Sequence, residues 1–291
     1  MKIIAVIVAF HPNLEQLRIL CDQLLGISHH VLVVDNTPQP QELGLGERIQ
    51  HLPLLSNTGI AHAQNVGAQR ALQMQADVVA FFDQDSCPEE ATLVAMDAAI
   101  STTDFDILAP TCVDSLNREV LPAYRLSVLG IPHPIYADGP SVAVPVDLVI
   151  SSGNFVRSRV FQRGVWMDRT LFIDYVDFEW CFRCRRHGFS VGLVSAARMS
   201  HRIGEKTLQY AGVRTSLHGP ARSYYKLRNP LLLLRRREVP VLYALRELTA
   251  AVLQALVVLR QHEHRKLYLS AFLSGVRDGL LNRSGPKPAN G

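Results

Sequence analysis

Apolar residues in the first hundred positions come in short dense runs separated by stretches of helical period, and this alternation predicts a layered α/β domain. Residues 3–10 form a continuous, β-branched run that reads as a strand buried on both faces. An amphipathic stretch follows and ends near Gly26. Residues 30–35, His-Val-Leu-Val-Val-Asp, give a second buried strand that ends in an acid. After a Pro/Gly-rich loop over 37–46, residues 48–52 read as a third strand. Residues 59–75 carry small and apolar side chains at helical spacing, and 78–82 form a fourth strand running into acids. Strands alternating with helices imply a mostly parallel sheet with helices on both faces. Ligands of such sheets bind beyond the carboxyl ends of the strands, where Asp35 and Asp83 both stand.

Further on the pattern changes twice. Residues 116–149 are Pro-rich, with short extended pieces; 158–163 and 174–187 read as helices and 189–195 as a strand. From residue 219 the chain is helical and basic. Residues 240–259 are long and apolar enough to span a bilayer, but Arg246 and Glu247 inside them favour an interfacial or packed amphipathic helix. The expected organisation is a catalytic domain over 1–218 and a basic helical region over 219–291.

Charge sharpens that division. The 291 residues carry a net +4, yet residues 1–201 hold 14 Lys and Arg against 21 Asp and Glu, while 202–291 hold 16 against 5. An acidic body and a basic tail imply an anionic partner for the tail. An anionic membrane surface fits it better than nucleic acid, because no nucleic-acid-binding module accompanies the charge. The apolar N-terminus lacks a small-x-small cleavage site, so it reads as a strand and not as an export signal. Five scattered cysteines fit a reducing compartment, and the lone Cys181-x-x-Cys184 reads as helix packing and not zinc.

Four constellations carry chemistry. Asp83-Gln84-Asp85 ends an apolar strand, and its carboxylates suit Mg²⁺ or Mn²⁺ with diphosphate oxygens completing the shell. There is no Gly-x-Gly-x-x-Gly after the first strand, where Phe10-His11-Pro12-Asn13 stands, and no P-loop, so a nucleotide site here needs another way to manage phosphate charge, of which a metal ion is the obvious one. Asp174, Asp177 and Glu179 fall within six positions; on a helix Asp174 and Asp177 share a face, and one such carboxylate can act as a general base. Acids in a first helical turn also simply stabilise the helix dipole. Residues 56–67, Ser-Asn-Thr-Gly-Ile-Ala-His-Ala-Gln-Asn-Val-Gly, offer the amides of Asn57 and Asn65 among small residues that admit a planar base or ribose, or else cap and pack a helix. His201 gains interest as a further ligand beside Asp83 and Asp85.

Together and in this order, these pieces resemble family 2 glycosyltransferases of GT-A fold, most of all the bacterial rhamnosyltransferases. The resemblance rests on the opening IIAVIVAFHP, on VVDNT, SNTGIAHAQNVG, FFDQDS, SSGN and FIDYVDFEWCFRCRRHG, then SHRIG and YYKLRN, and it covers about residues 2–230. It implies that Phe10, Asp35, Asn57, Asn65, Asp83 and Gln84 hold the nucleoside end of a donor. It implies that Asp85 and His201 bind a divalent metal, Mg²⁺ or Mn²⁺, at the donor diphosphate. Asp177 takes the position of the base that deprotonates an acceptor hydroxyl, in a single inverting displacement. Ser152, Gly153, Asn154, Asp174 and Glu179 would hold the acceptor or the donor sugar. Val176 stands where many relatives carry Glu before the base, which keeps Asp174 and Glu179 as rivals of Asp177. The wording DYVDFEWC implies dTDP-L-rhamnose as donor and a cell-surface polysaccharide or lipid-linked glycan as acceptor, at the cytoplasmic face of the membrane. Another nucleotide sugar, and a non-catalytic assembly subunit on the same fold, are the alternatives.

Overall fold

The computed structural model describes residues 1–41, 43, 44, 46–114, 119–137, 142–201, 206–210 and 213–288; for 201, 206–210 and 213–216 it describes the backbone alone. The first half runs β1 (Ile3–Ala9), α1 (Leu14–Leu24), β2 (His30–Asp35), β3 (Ile49–Pro53), α2 (Ile60–Gln73), β4 (Val78–Asp83), β5 (Cys87–Pro88), α3 (Glu90–Thr102) and β6 (Ile107–Asp114). There follow β7 (Ala123–Leu126), β8 (Pro132–Ile135), β9 (Ala143–Val146), β10 (Phe155–Arg157), α4 (Arg159–Gln162), α5 (Val176–Arg186) and β11 (Val191–His201). A hairpin of β12 (Lys206–Tyr210) and β13 (Val213–Leu217) leads to the helices α6 (Pro220–Leu233), α7 (Val241–Gln261) and α8 (Arg265–Leu280).

The sheet order is β3-β2-β1-β4-β10-β6-β11-β5, with β9 on the far side of β11. β3, β2, β1 and β4 pair in parallel, as do β6 and β11; the short β10, β5 and β9 run against their neighbours. Alternate side chains of the central strands feed two cores. Ile4, Val6, Leu32, Val34, Val79 and Phe81 meet the alanine face of α2 and Trp180 of α5. Ile3, Ala5, Ile7, Val31, Val33 and Phe82 meet Leu17, Leu20 and Leu24 of α1 and Leu93, Met96 and Ile100 of α3. The mostly parallel sheet flanked by helices is the architecture that the strand-helix alternation predicts.

Pro110 lies inside β6, where a proline has no N–H for the ladder. The partner strand adjusts: the β6–β11 register jumps from Val194 to Arg198 at this point, a bulge that carries the unpaired position. The basic helices are part of the same body. Leu232 and Leu233 of α6 and Tyr243 and Ala244 of α7 are buried in the core beneath α5. A third, smaller core of Leu227, Ala251, Ala255, Val258, Tyr268 and Phe272 joins α6, α7 and α8.

Candidate active site

A cleft of about 750 Å³ opens at the carboxyl ends of β1 and β4. Phe10, Asn36, Asn57, Asp83, Gln84 and Asp85 line one part of it. Residues 172–178 line another, and His218, Arg222, Tyr225, Lys226 and Glu247 from the C-terminal region complete it. Sequence reasoning gave none of that last group a place in the site, although it noted Glu247 and the YYKLRN motif that holds Tyr225 and Lys226. The group's signal was the spacing of Arg222 and Lys226, one helical turn apart ahead of Arg228 and Asn229, which puts both cations on one face of α6.

The strand ends are held in place by side chain–backbone hydrogen bonds. Gln84 takes the Phe10 N–H on Oε1 at 2.6 Å and returns a bond from Nε2 to the Phe10 carbonyl at 3.1 Å. Its amide thus fastens the end of β4 to the chain leaving β1, while Phe10 projects its exposed ring at the cleft. Asp35 is fully buried, and its carboxylate accepts from Thr37 N–H at 2.9 Å and contacts His51 Nε2 at 3.2 Å. It therefore supports the cleft from below and does not project into it as its position at the end of β2 predicts. The neighbouring Asn36, unremarked in the sequence, lines the cleft and accepts from Thr58 N–H while donating to Asn57 Oδ1 at 3.2 Å. Asn65 lies elsewhere: it clamps Met167 through that residue's N–H and carbonyl, both at 2.9 Å, and faces a second groove.

The turn through Ser151–Asn154 sits against β4. Asp83 N–H reaches Ser86 Oγ at 3.1 Å and Ser152 Oγ at 3.3 Å, and the two hydroxyls lie 2.7 Å apart. Ser151 and Ser152 line the cleft, whereas Gly153 and Asn154 do not. Gly153 has φ +84° and a Cβ there would crowd the Pro110 ring, so its role is backbone geometry. Asn154 is buried, and its Oδ1 finds no hydrogen-bond partner among the described residues.

The three acids predicted on one helix part company. The helix α5 begins at Val176, and Asp174 precedes it with φ +63°, between Phe172 at +68° and Tyr175 at +65°. Three residues of positive φ in a run of four, none of them glycine, make a strained loop, at a cost of about 1–3 kcal/mol each. Asp174 lines the cleft but is gripped by Arg222, Nε and Nη2 both reaching Oδ1, at 3.2 and 3.0 Å. Burial pushes its carboxyl up, but Lys226 and Arg222 outweigh that and hold it below the usual carboxylate range. Glu179 is buried, paired with Arg183 at 2.7 and 2.8 Å, and turned toward the second groove. Its carboxyl is pushed up by burial, with Arg183 pulling the other way. Asp177, in the first turn of α5, lines the same cleft as Asp83 and Asp85. Burial, aided by Arg222 and Lys226, lowers the His218 imidazole to about 4, so it is neutral at neutral pH.

Asp83 and Asp85 offer hard oxygen donors at the mouth of the cleft, and among the described residues no group of three His, Cys, Asp or Glu forms a ready-made cage. That donor set fits a divalent cation such as Mg²⁺ or Mn²⁺, which is commonly held by one or two carboxylates plus phosphate oxygens and water. His201 closes β11, in register with Asp114 of β6; its side chain lies outside the described residues.

No family model matches the chain. Among solved structures, GalNAc-T7 with UDP, GalNAc and Mn²⁺ superposes with a TM-score of 0.58 at 11% identity over 86% of this chain; the chain spans 55% of that protein. TarS of S. aureus, residues 1–349, superposes at 0.55 both alone and with UDP-GlcNAc, at 14% and 16% identity over 96% and 95% of this chain. The fold is thus GT-A. The sequence narrows the class: over 287 residues, 98% of this chain and 97% of the other, it is 31% identical to the dTDP-rhamnosyl transferase RfbF of Shigella flexneri. The chain belongs to that family, the bacterial rhamnosyltransferases among the family 2 glycosyltransferases.

Proposed function

We propose that the protein transfers L-rhamnose from dTDP-L-rhamnose to a hydroxyl of a cell-surface polysaccharide or lipid-linked glycan, by a single inverting displacement with Asp177 as base. The observation that carries the reading is the convergence of Asp83, Asp85 and Asp177 on one cleft, while Asp174 is gripped by Arg222 and Glu179 is turned away. The donor follows from the name of the RfbF relative. Asn36 and Asn57 with Asp83 frame the nucleoside end, and Phe10 offers a ring face to it. Asp35 and Gln84 support these groups from behind. Asp85, with Asp83 and His201 beside it, would hold the divalent metal. Bound there, the metal supplies Lewis-acid stabilisation of the departing diphosphate. Asp177 takes the proton from the acceptor hydroxyl as its oxygen attacks the anomeric carbon. Ser152 and Asp174 stand where a sugar would lie.

The acceptor side is supported by the outward face of the C-terminal helices. On α7, Leu242, Leu245, Val252, Leu253 and Leu256 are exposed along one stripe; on α8, Leu269, Leu273 and Leu280 continue it, with Arg260, Arg265, Lys266 and Arg277 exposed beside them. An apolar stripe edged with cations suits the headgroup region of an anionic bilayer. The helix α7 is long and apolar enough to cross a membrane. Its opposite face, with Tyr243, Ala244, Ala251 and Ala255, is buried in the body, which favours lying on the surface. In this reading 1–218 carries the chemistry and 219–291 brings it to the cytoplasmic side of the membrane.

Calorimetric titration with dTDP-L-rhamnose, UDP-glucose and GDP-mannose, each with Mn²⁺ and with chelator, tests the donor. Metal-dependent binding of the first alone is the expected result; preference for another retains the mechanism and removes the rhamnosyl assignment. Asp177→Asn should keep donor binding and lose transfer by roughly 10²–10⁴-fold. Asp85→Ala should lose the metal-dependent part of binding. Full activity in either variant removes that residue from the mechanism.

A further inference from the structure

The loop that precedes Asp177 is strained, and the groups that hold it come from α6. The Asn229 side-chain amide, fully buried, donates from Nδ2 to the carbonyls of Leu171, Ile173 and Asp174 at 3.1, 2.7 and 3.1 Å. Arg228, equally buried, donates through Nη2 to the Leu171 carbonyl at 2.8 Å and orients Asn229 by a 2.9 Å bond from Nε to Oδ1. Its guanidinium lies 4.7 Å from the Tyr225 ring, which itself stacks on Phe172 at 4.9 Å. Pro230 withholds a helical N–H from the Lys226 carbonyl, and that carbonyl faces the Tyr175 hydroxyl at 3.5 Å. All these bonds fall on residues 171–175, directly before the turn of α5 that carries Asp177.

We infer that Asn229, oriented by Arg228, is a positioning residue for the base: it fixes the 171–175 loop in its positive-φ form and thereby sets where the Asp177 carboxylate stands. The inference rests on Asp177 being the base. Its energetic sense is that three carbonyls made to converge by the strained loop need a donor buried among them. Neither residue reaches the cleft, so removal of the amide should leave the donor site intact while misplacing the carboxylate.

The test compares Asn229→Ala and Asn229→Asp with Ser28→Ala, which deletes a buried hydroxyl bond to the Leu24 carbonyl outside the loop and the cleft. In the folded full-length enzyme, both Asn229 variants should lose at least tenfold in kcat with the donor Kd within twofold of the parent, while Ser28→Ala keeps its kcat. Asn229→Ala added to Asp177→Asn should cost nothing further, because the amide acts through the carboxylate it positions. An unchanged kcat in the Asn229 variants, a parallel loss of donor binding, or an additive loss in the double variant overturns the proposal. If Asn229→Asp folds and Asn229→Ala does not, the carboxylate variant decides it, since it fills the space and cannot donate. Should Asp177→Asn alone keep full activity, it is the base assignment that fails, and the positioning role falls with it.

Discussion

Asp174 and Asp177 stand three positions apart on the two sides of the helix start. The first is held by a guanidinium and an ammonium; the second lines the cleft at the start of a helix. The pairing of Asp174 has a pH signature. Its carboxyl is held below the ordinary value of 3.8, so the stability it contributes is present above about 3.8 and is lost as pH falls through the lower folded value. Acid unfolding monitored by circular dichroism should therefore show a steeper loss below pH ~4 for the parent than for Asp174→Asn. Equal slopes would mean that Arg222 and Lys226 contribute nothing through this carboxylate. The sequence showed three acids and one helix, and the helix assignment put Asp174 on the same face as Asp177. It begins two residues later than expected because Asp174 and Tyr175 have positive φ, and no spacing pattern reports such a φ at a non-glycine residue.

At the scale of elements, β1, β2 and β4 were legible because they are continuous apolar runs, the last two ending in acids, and α2 because its small residues recur at helical spacing. The pattern assigned neither α3 nor β6. The helix α3 is apolar around most of its circumference, with the exposed Val94 beside buried Leu93 and Met96, so no clean stripe marks it. The strand β6 contains Pro110, which argues against a central strand until the bulge in β11 is seen. The start of α2 was read as a capped helix, but Gly59 does more than cap. It has φ +85°, and a Cβ there would stand 2.6 Å from the Phe172 carbonyl oxygen, the acceptor of the Ile60 N–H. Gly59→Ala should destabilise the fold by more than the ~1 kcal/mol of an ordinary glycine change and lower activity with it, read from thermal unfolding and initial rates. An unshifted Tm would show that the loop yields at no cost.

For the whole molecule, the segregation of charge was plain in the sequence, whereas the sharing of one core between the α/β layers and the basic helices was not. Pattern locates an amphipathic face but does not say what lies beneath it. The tip of the antiparallel β7–β8 pair, with Val128, Leu129 and Ile131, is exposed, and Gly130 packs so tightly on Pro240 that it has no room for a Cβ; this sets the tip beside the apolar start of α7. If this side meets a bilayer, Leu253→Gln with Leu256→Gln should reduce co-sedimentation with vesicles containing anionic lipid several-fold and leave transfer to a short soluble acceptor unchanged. Equal binding to neutral vesicles by the parent protein would remove the role given to the cations.

The bonds from Arg228 and Asn229 to the 171–175 loop also bear on how the protein comes into being. A ribosome delivers the cleft's carboxylates well before it delivers the residues that brace the loop, and the nascent chain of about 218 residues holds every proposed catalytic acid yet none of these braces. On this reading the growing chain has no fixed place for the proposed base until α6 emerges and docks. Competence for transfer would then wait on the same helical region that is proposed to meet the membrane.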